Sequence, residues 1–191
     1  MTPQAKDLHG FFIRAFTTGK SLGIRLTNKA EFYIRRGDKK RLRRLLNKRP
    51  QLLRPGDTYL LFVAIWSQAT LIPWLLERGV ATDHLPGFAM NTPLMHAAAN
   101  GEVWLLDLLL NNGAEIEAVN ESNERALGFA TTWRQPSAAR LLLERGADPN
   151  ALEDPDKTYL DWAIICEYFE IADLLRSFGA LEFSELTNRV V

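Results

Sequence analysis

Apolar residues between positions 91 and 114 form two short groups, and each group has the spacing of one face of a helix. The first group follows Thr92 and Pro93, which suit a helix N-cap and the first helical position. The second group is rich in leucine and ends at Gly113, a residue that can take positive φ at a helix end. The pattern therefore predicts two helices joined by a tight turn at Gly101.

The same pattern recurs along the chain. Its closing glycines are 34, 33 and 33 residues apart, at Gly79, Gly113, Gly146 and Gly179. Each unit opens on Thr58, Thr92, Arg125 or Thr158, and a leucine follows two residues later. A single pair of short helices cannot bury its leucines alone, so the copies predict a stack in which each unit covers its neighbour.

These units resemble the ankyrin-repeat family, whose unit carries Thr-Pro-Leu-His, Ala-Ala, Gly, Leu-Leu and Gly-Ala in that order. The resemblance implies an all-α solenoid of stacked helix-turn-helix units joined by short finger loops. It covers residues 56–180 as four repeats and residues 27–55 more loosely, as a degenerate, basic first repeat. We expect residues 1–26 to form a capping segment and residues 181–191 a tail or second cap. The sequence departs from the family where the family has histidine, since it holds Leu61, Met95, Gly128 and Asp161 there.

The formal net charge of zero hides a strong asymmetry. Residues 1–54 hold 15 lysines and arginines against three acidic residues, whereas residues 55–191 hold eight against 20. The single Cys166 excludes an internal disulfide and suits a reducing compartment. Neither a signal peptide nor an apolar run of the roughly 18 residues that span a bilayer is evident, so we expect a cytoplasmic protein.

Nothing in the sequence indicates a catalytic or metal site. The three histidines occupy unrelated places in the repeat, and neither a His-Glu-x-x-His nor a Cys-x-x-Cys motif occurs. Cys166 has no histidine in its own or the adjoining repeat to act as a base, and we expect it to be buried or half-buried. The prediction is a protein that is not an enzyme and that needs no cofactor or metal.

The resemblance implies a concave groove formed by the fingers and by the exposed flank of each first helix. Trp66 and Trp133 hold equivalent positions there and are the predicted anchors, because tryptophan is enriched at binding hot spots. The alternative is that each packs on a neighbouring repeat. Trp104 is a weaker candidate, and we expect Trp74 and Trp162 to face the interior. The other candidate partner-binding residues are Ile65, Asn100 and Thr132 on the helices and Asp57, Phe88, Asn91, Glu121, Glu124, Asp154 and Lys157 at or near the fingers.

The finger carboxylates favour a protein partner with a basic face, and we expect the free chain to be a monomer. One concrete hypothesis is an inhibitor, such as a bacterial immunity protein that masks a toxin. Two other functions stay open. The basic residues of positions 35–49 favour binding to nucleic acid or an anionic membrane surface, although they also suit a solvated helix face. A self-assembling structural array is the remaining possibility.

Overall fold

The structure is a computed structural model that describes residues 22–52, 61, 64–65, 68–83, 91–152 and 154–188, with residues 22–28 and 51 described by their backbone only. Most of the predicted N-terminal cap therefore lies outside the described residues. The helices, in chain order, are α1 Leu22–Arg35, α2 Lys39–Lys48, α3 Ile72–Leu76, α4 Pro93–Asn100, α5 Val103–Asn111, α6 Ala126–Thr132, α7 Pro136–Glu144, α8 Tyr159–Ile165, α9 Phe169–Ser177 and α10 Phe183–Asn188.

Short 3₁₀ turns follow α2 at Pro50–Leu52 and precede α3 at Ala69–Leu71. Across the described ranges the chain forms no strand, and the β feature there is an isolated bridge between Asp154 and Lys157. The predicted all-α fold is confirmed.

Successive units begin in chemically different ways. At α4 the Thr92 hydroxyl accepts a hydrogen bond from the Met95 N–H at 3.3 Å, and the Met95 sulfur accepts one from the Thr92 N–H at 3.2 Å. At α8 a carboxylate replaces the sulfur, because Asp161 Oδ2 accepts from the Thr158 N–H at 2.8 Å. At α6 the N-cap Arg125 makes no side-chain capping bond. The position that holds histidine in the family is therefore filled by a sulfur, by Gly128 without a side chain, and by a carboxylate.

The pairs α4–α5, α6–α7 and α8–α9 each turn through a residue in the left-handed region. Gly101 takes φ 69° between α4 and α5, whereas the equivalent turns use Arg134 at φ 54° and Glu167 at φ 59°. The outer helices α3, α5, α7 and α9 are each followed by a glycine with positive φ. The unit ends predicted from the glycine spacing are thus present in the structure.

One hydrophobic core runs through the stack from Ala30 to Ala180. The inner helices contribute small residues such as Ala97 and Ala98, and the outer helices contribute leucines such as Leu105 and Leu109, all fully buried. Alanine lets the inner helices approach closely, while each buried leucine stabilises the fold by about 1.5–3 kcal/mol.

A glycine and a proline each hold the second position of a helix. Gly23 is the second residue of α1. Pro73 is the second residue of α3, where a missing N–H leaves no helical bond unmade. At the other end of the chain, α10 is tied to the last repeat because the Phe183 N–H donates to Asp161 Oδ2 at 3.0 Å.

Candidate binding groove

The inner helices α6 and α8 border an open cleft of about 380 Å³, which we call the C-terminal cleft. The fingers form one rim, the inner helices the floor, and the turn before α9 the other end. The lining residues are Ser122, Glu124, Gly128, Thr131, Thr132, Asp154, Tyr159, Trp162, Cys166 and Tyr168. This surface is where the sequence predicted a concave groove.

The cleft is open because the two inner helices that border it pack loosely. α4 and α6 are in closer contact than α6 and α8, and we call these contacts the closed junction and the open junction. Fully buried Met95 stands in α4 where α6 has Gly128. Without a side chain at position 128, the floor of the C-terminal cleft stays unfilled.

The prediction that Trp162 faces the interior is wrong. Its side chain is 41% exposed and lines the C-terminal cleft. Its equivalents in the two preceding repeats, His96 and Phe129, are half-buried rather than buried. The polar residue at position 96 was the available sign that this repeat position is not a core position.

The prediction that Cys166 is buried or half-buried is also wrong, because the residue is exposed. It follows the last residue of α8 and lies four residues after Trp162, so both project from the same face of the chain toward the cleft.

Trp133 is the C-cap of α6 and is 50% exposed. Two other predicted partner-binding residues at helix ends, Thr132 and Asn100, are also exposed, and Ile65 is half-buried. The Asn100 amide donates to Glu102 at 3.4 Å. The remaining predicted residues Trp66, Asp57 and Phe88 lie outside the described residues.

With residues 27–55 counted as repeat one, α4–α5 form repeat three, α6–α7 repeat four and α8–α9 repeat five. The finger between repeats three and four is held by Asn120. Its amide donates to Asn91 Oδ1 and to Glu124 Oε2, both at 2.7 Å, and its oxygen accepts from the N–H groups of Ser122 and Glu124, both at 2.9 Å. Asn91 and Glu124 were predicted to contact a partner, and both take part in shaping this finger. Glu121, at the finger tip, is exposed.

The next finger holds a small charge cluster around Lys157. The Lys157 ammonium lies 2.8 Å from Asp156 and 4.0 Å from Asp154. The hydrogen bond between Asp156 and Lys157 lowers the pKa of the carboxyl and raises the pKa of the ammonium. The cation of Lys157 is thus held by its own finger, which leaves it poorly placed to attract an acidic partner.

The outer surface carries exposed aromatic residues as well. Trp104 on α5 is 50% exposed, and Phe169 at the start of α9 is also exposed. The first of these lies near an inter-repeat contact, because Arg145 pairs with Asp107 of α5 and donates to Asn111 at 3.1 Å.

Trp74 is buried, as predicted, with Arg78 3.8 Å and Lys39 5.6 Å from its ring centroid. Lys39 begins α2, whose leucines Leu42 and Leu46 face the core. The basic residues of α2 on the opposite side are exposed, at Lys40, Arg41, Arg43, Arg44 and Lys48. This is the solvated helix face that the sequence left open as one interpretation of the basic cluster.

Within the part of the chain that the structure describes, no group of three or more histidine, cysteine or acidic side chains could hold a metal ion. No helix in that part is long and apolar enough to cross a membrane.

Comparison with known proteins identifies the repeat. A family model of ankyrin repeats in three copies matches residues 61–153 and also residues 94–182. The E3 ubiquitin-protein ligase KEG of Arabidopsis thaliana is 28% identical over 122 residues, which are 63% of this chain and 8% of that protein. The SH3 and multiple ankyrin repeat domains protein 2 of Homo sapiens is 35% identical over 81 residues, which are 42% of this chain and 4% of that protein.

The chain thus spans less than a tenth of the length of either relative. Among solved structures, the ankyrin repeat domain of Bcl-3 superposes with a TM-score of 0.69 at 24% identity, over 80% of this chain and 72% of that one. That likeness is one of fold.

Proposed function

This chain belongs to the ankyrin-repeat family, and we propose that it is a protein-binding module that holds its partner against the inner helices and fingers of repeats three to five. The family consists of protein interaction modules, and the finer proposal concerns which surface of this chain makes the contact.

The observation that carries the proposal is the exposed apolar surface beside the C-terminal cleft. Trp133 is 50%, Trp162 41% and Ile165 61% exposed. Trp133 and Ile165 lie at the C-terminal ends of inner helices, and Trp162 lines the cleft. Large apolar side chains grouped on one face are costly to leave in water, and tryptophan in such a place is enriched among residues that dominate binding energy. A partner that covers this surface would bury these side chains, and the removal of apolar surface from water would stabilise the complex.

The finger between repeats three and four supports the same surface. The Asn120 side chain donates two hydrogen bonds and accepts two. These bonds hold the finger backbone and the Glu124 carboxylate in one arrangement in the free chain. A loop that is already ordered loses less conformational entropy on binding. The finger therefore offers Glu121 and Glu124 to a partner at a fixed position.

We further propose that the partner presents a basic surface and that binding blocks it, as an inhibitor or an immunity protein would. This rests on the excess of acidic residues beyond position 55 and on the finger carboxylates Glu121, Glu124 and Asp154. Complementary charge speeds encounter and selects the partner's orientation.

The test is capture of the partner by the full chain from a lysate of its native cells, read by mass spectrometry. The Trp133→Ala variant removes the exposed aromatic beside the cleft. Trp104→Ala is the matched control, because Trp104 is equally exposed but lies on the outer helix α5. We expect wild type and Trp104→Ala to retain the same protein, and we expect Trp133→Ala to lose it.

Two other outcomes contradict the proposal. If both tryptophan variants retain the protein equally, the contact lies elsewhere. If the captured protein is lost instead on Lys40→Gln/Arg44→Gln, binding runs through the basic face of α2. For the inhibitor role, adding the chain to the captured protein should suppress that protein's own activity, and an unchanged activity would refute inhibition.

A further inference from the structure

We infer that the C-terminal cleft receives an arginine side chain from a basic segment of the partner. This inference rests on the proposed function and adds the chemistry of the group that is bound. The cleft has the size of a small-ligand site, so it admits one side chain rather than a whole folded element.

Three aromatic side chains are among the residues that line the cleft. Trp162 is partly exposed there, Tyr168 is half-buried at the turn, and Tyr159 is buried in the floor. A guanidinium group stacks on such rings through attraction to their π faces, and arginine is favoured over lysine because it is planar and more weakly hydrated.

The protein's own cations already lie near two of these rings. The Lys157 ammonium is 5.8 Å from the centroid of Trp162, and the Arg134 guanidinium carbon is 5.5 Å from that of Tyr168. Both distances are close to the roughly 6 Å limit for cation–π attraction. Neither internal cation is therefore in close contact with its ring.

Two carboxylates complete the cleft. Glu124 uses one oxygen to accept from Asn120, and a carboxylate has about four acceptor positions, so it retains capacity for a guanidinium. Asp154 lies 4.0 Å from Lys157, whose closer partner is Asp156 at 2.8 Å. The rim near the cleft thus has more carboxylates than cations, which favours a cationic guest over an anionic or neutral one.

The net charge of the repeats also favours a basic guest. Residues 55–191 carry 20 acidic against eight basic residues, so the field around the repeats steers a basic segment toward them. The aromatic faces then select arginine within that segment.

The probe is a fluorescein-labelled peptide, Gly-Ser-Arg-Leu-Arg-Ser-Gly, titrated with the full-length chain and followed by fluorescence polarisation. The matched peptide carries citrulline in place of both arginines, which keeps the shape and removes the charge. We expect the arginine peptide to bind about tenfold more tightly, the range for charge-assisted contacts with an aromatic face.

Two variants locate the binding. Trp162→Ala removes the exposed ring, and Glu124→Gln/Asp154→Asn removes the cleft carboxylates. We expect each to weaken binding of the arginine peptide by about tenfold, with the carboxylate variant also reducing the salt dependence. Glu144→Gln/Glu170→Gln is the control, since it removes the same charge from exposed positions on the outer helices α7 and α9.

The inference is overturned if the citrulline peptide binds equally well, if Trp162→Ala binds like wild type, or if the control pair weakens binding as much as the cleft pair. Its failure is separable from that of the proposed function. A partner captured through Trp133 but retained fully by the cleft variants would keep the function and refute the arginine site. A wild-type chain that captures no partner would refute the function, whatever the peptide does.

Discussion

The closed junction between α4 and α6 and the open junction between α6 and α8 are built from the same repeat yet have different interiors. At the closed junction, Met95 of α4 is fully buried and the Gln135 amide donates to the Ala99 carbonyl at 3.2 Å. At the open junction, Gly128 stands in the place of Met95, and Tyr168 in that of Gln135. One junction is packed as core, and the other leaves the C-terminal cleft.

One inner-helix position distinguishes the two junctions. Fingers tie both junctions, through Asn120 to Asn91 at 2.7 Å and through Asn123 to the Leu152 carbonyl at 3.1 Å. The difference lies in the inner helices, where the position filled by histidine in the family holds Met95 in α4 and Gly128 in α6. Such an array can vary its binding surface without changing its backbone plan.

The largest effect should come from emptying the closed junction. Met95→Ala removes a fully buried side chain and also the sulfur that accepts from the Thr92 N–H. We expect it to lower the free energy of unfolding by about 2–5 kcal/mol, measured by urea denaturation. An exposed cleft residue, Trp162→Ala, should cost much less, and equal costs would contradict the difference between the junctions.

A pH titration of stability compares the same repeat position in α4 and α8. Burial lowers the pKa of His96 from 6.5 to about 4, so the folded state holds this imidazole neutral. Between these values the unfolded chain binds the extra proton, and stability is therefore lost as the pH falls from above 6.5 to 4. The full loss is about 3 kcal/mol.

The control for this titration is His96→Phe, which takes the residue of the next repeat and should remove that part of the pH dependence. Trp162→His places an imidazole at the equivalent but exposed position, where it should titrate near the ordinary range and leave stability nearly flat. A strong pH dependence in His96→Phe would assign the effect to other groups.

Much of the fold could be predicted because the repeat signals are local. Capping threonines, leucine spacing and closing glycines each act within one unit, and their recurrence made the stack predictable. Trp162 and Cys166 were misjudged because their residue types favour burial. The repeat position decided instead, since the equivalents in the preceding repeat are half-buried at Phe129 and exposed at Trp133.

The candidate site could be predicted only as a surface. The position of Trp133 on an inner-helix end followed from the alignment of the repeats, whereas the bonds of Asn120 to Asn91 and Glu124 join residues of two neighbouring repeats. Whether a finger carboxylate is free or already bonded depends on such contacts.

Loosening the finger should have an intermediate effect. Asn120→Ala deletes two donated and two accepted hydrogen bonds, and it leaves the N–H groups of Ser122 and Glu124 without that oxygen. We expect a loss of about 1–3 kcal/mol in thermal or urea unfolding. Glu121→Ala at the exposed tip of the same finger should change stability by less than about 0.5 kcal/mol, and a similar loss in both variants would refute the bracing role of Asn120.

A smaller effect separates backbone strain from crowding at the closed junction. Gly101→Ala and Gly146→Ala each force a side chain into positive φ, at 69° and 94°, which costs about 1–2 kcal/mol. A Cβ at position 101 would also overlap the Gln135 side chain, whereas nothing lies within 4 Å of one at position 146. Gly101→Ala should therefore cost more in urea denaturation, and Gln135→Ala should remove the excess.

Gly128→Met should change stability least among these variants and should abolish binding in the cleft. Gly128→Met gives α6 the residue that α4 has at this position, so the new side chain should enter the C-terminal cleft beside Trp162. Replacing a helical glycine is favourable by roughly 0.5–1 kcal/mol, and this offsets part of any crowding. We expect an unfolding free energy within about 1.5 kcal/mol of wild type, together with loss of arginine-peptide binding in fluorescence polarisation. A Gly128→Met chain that unfolds like wild type and still binds the peptide would show that the open junction is not where the guest lies.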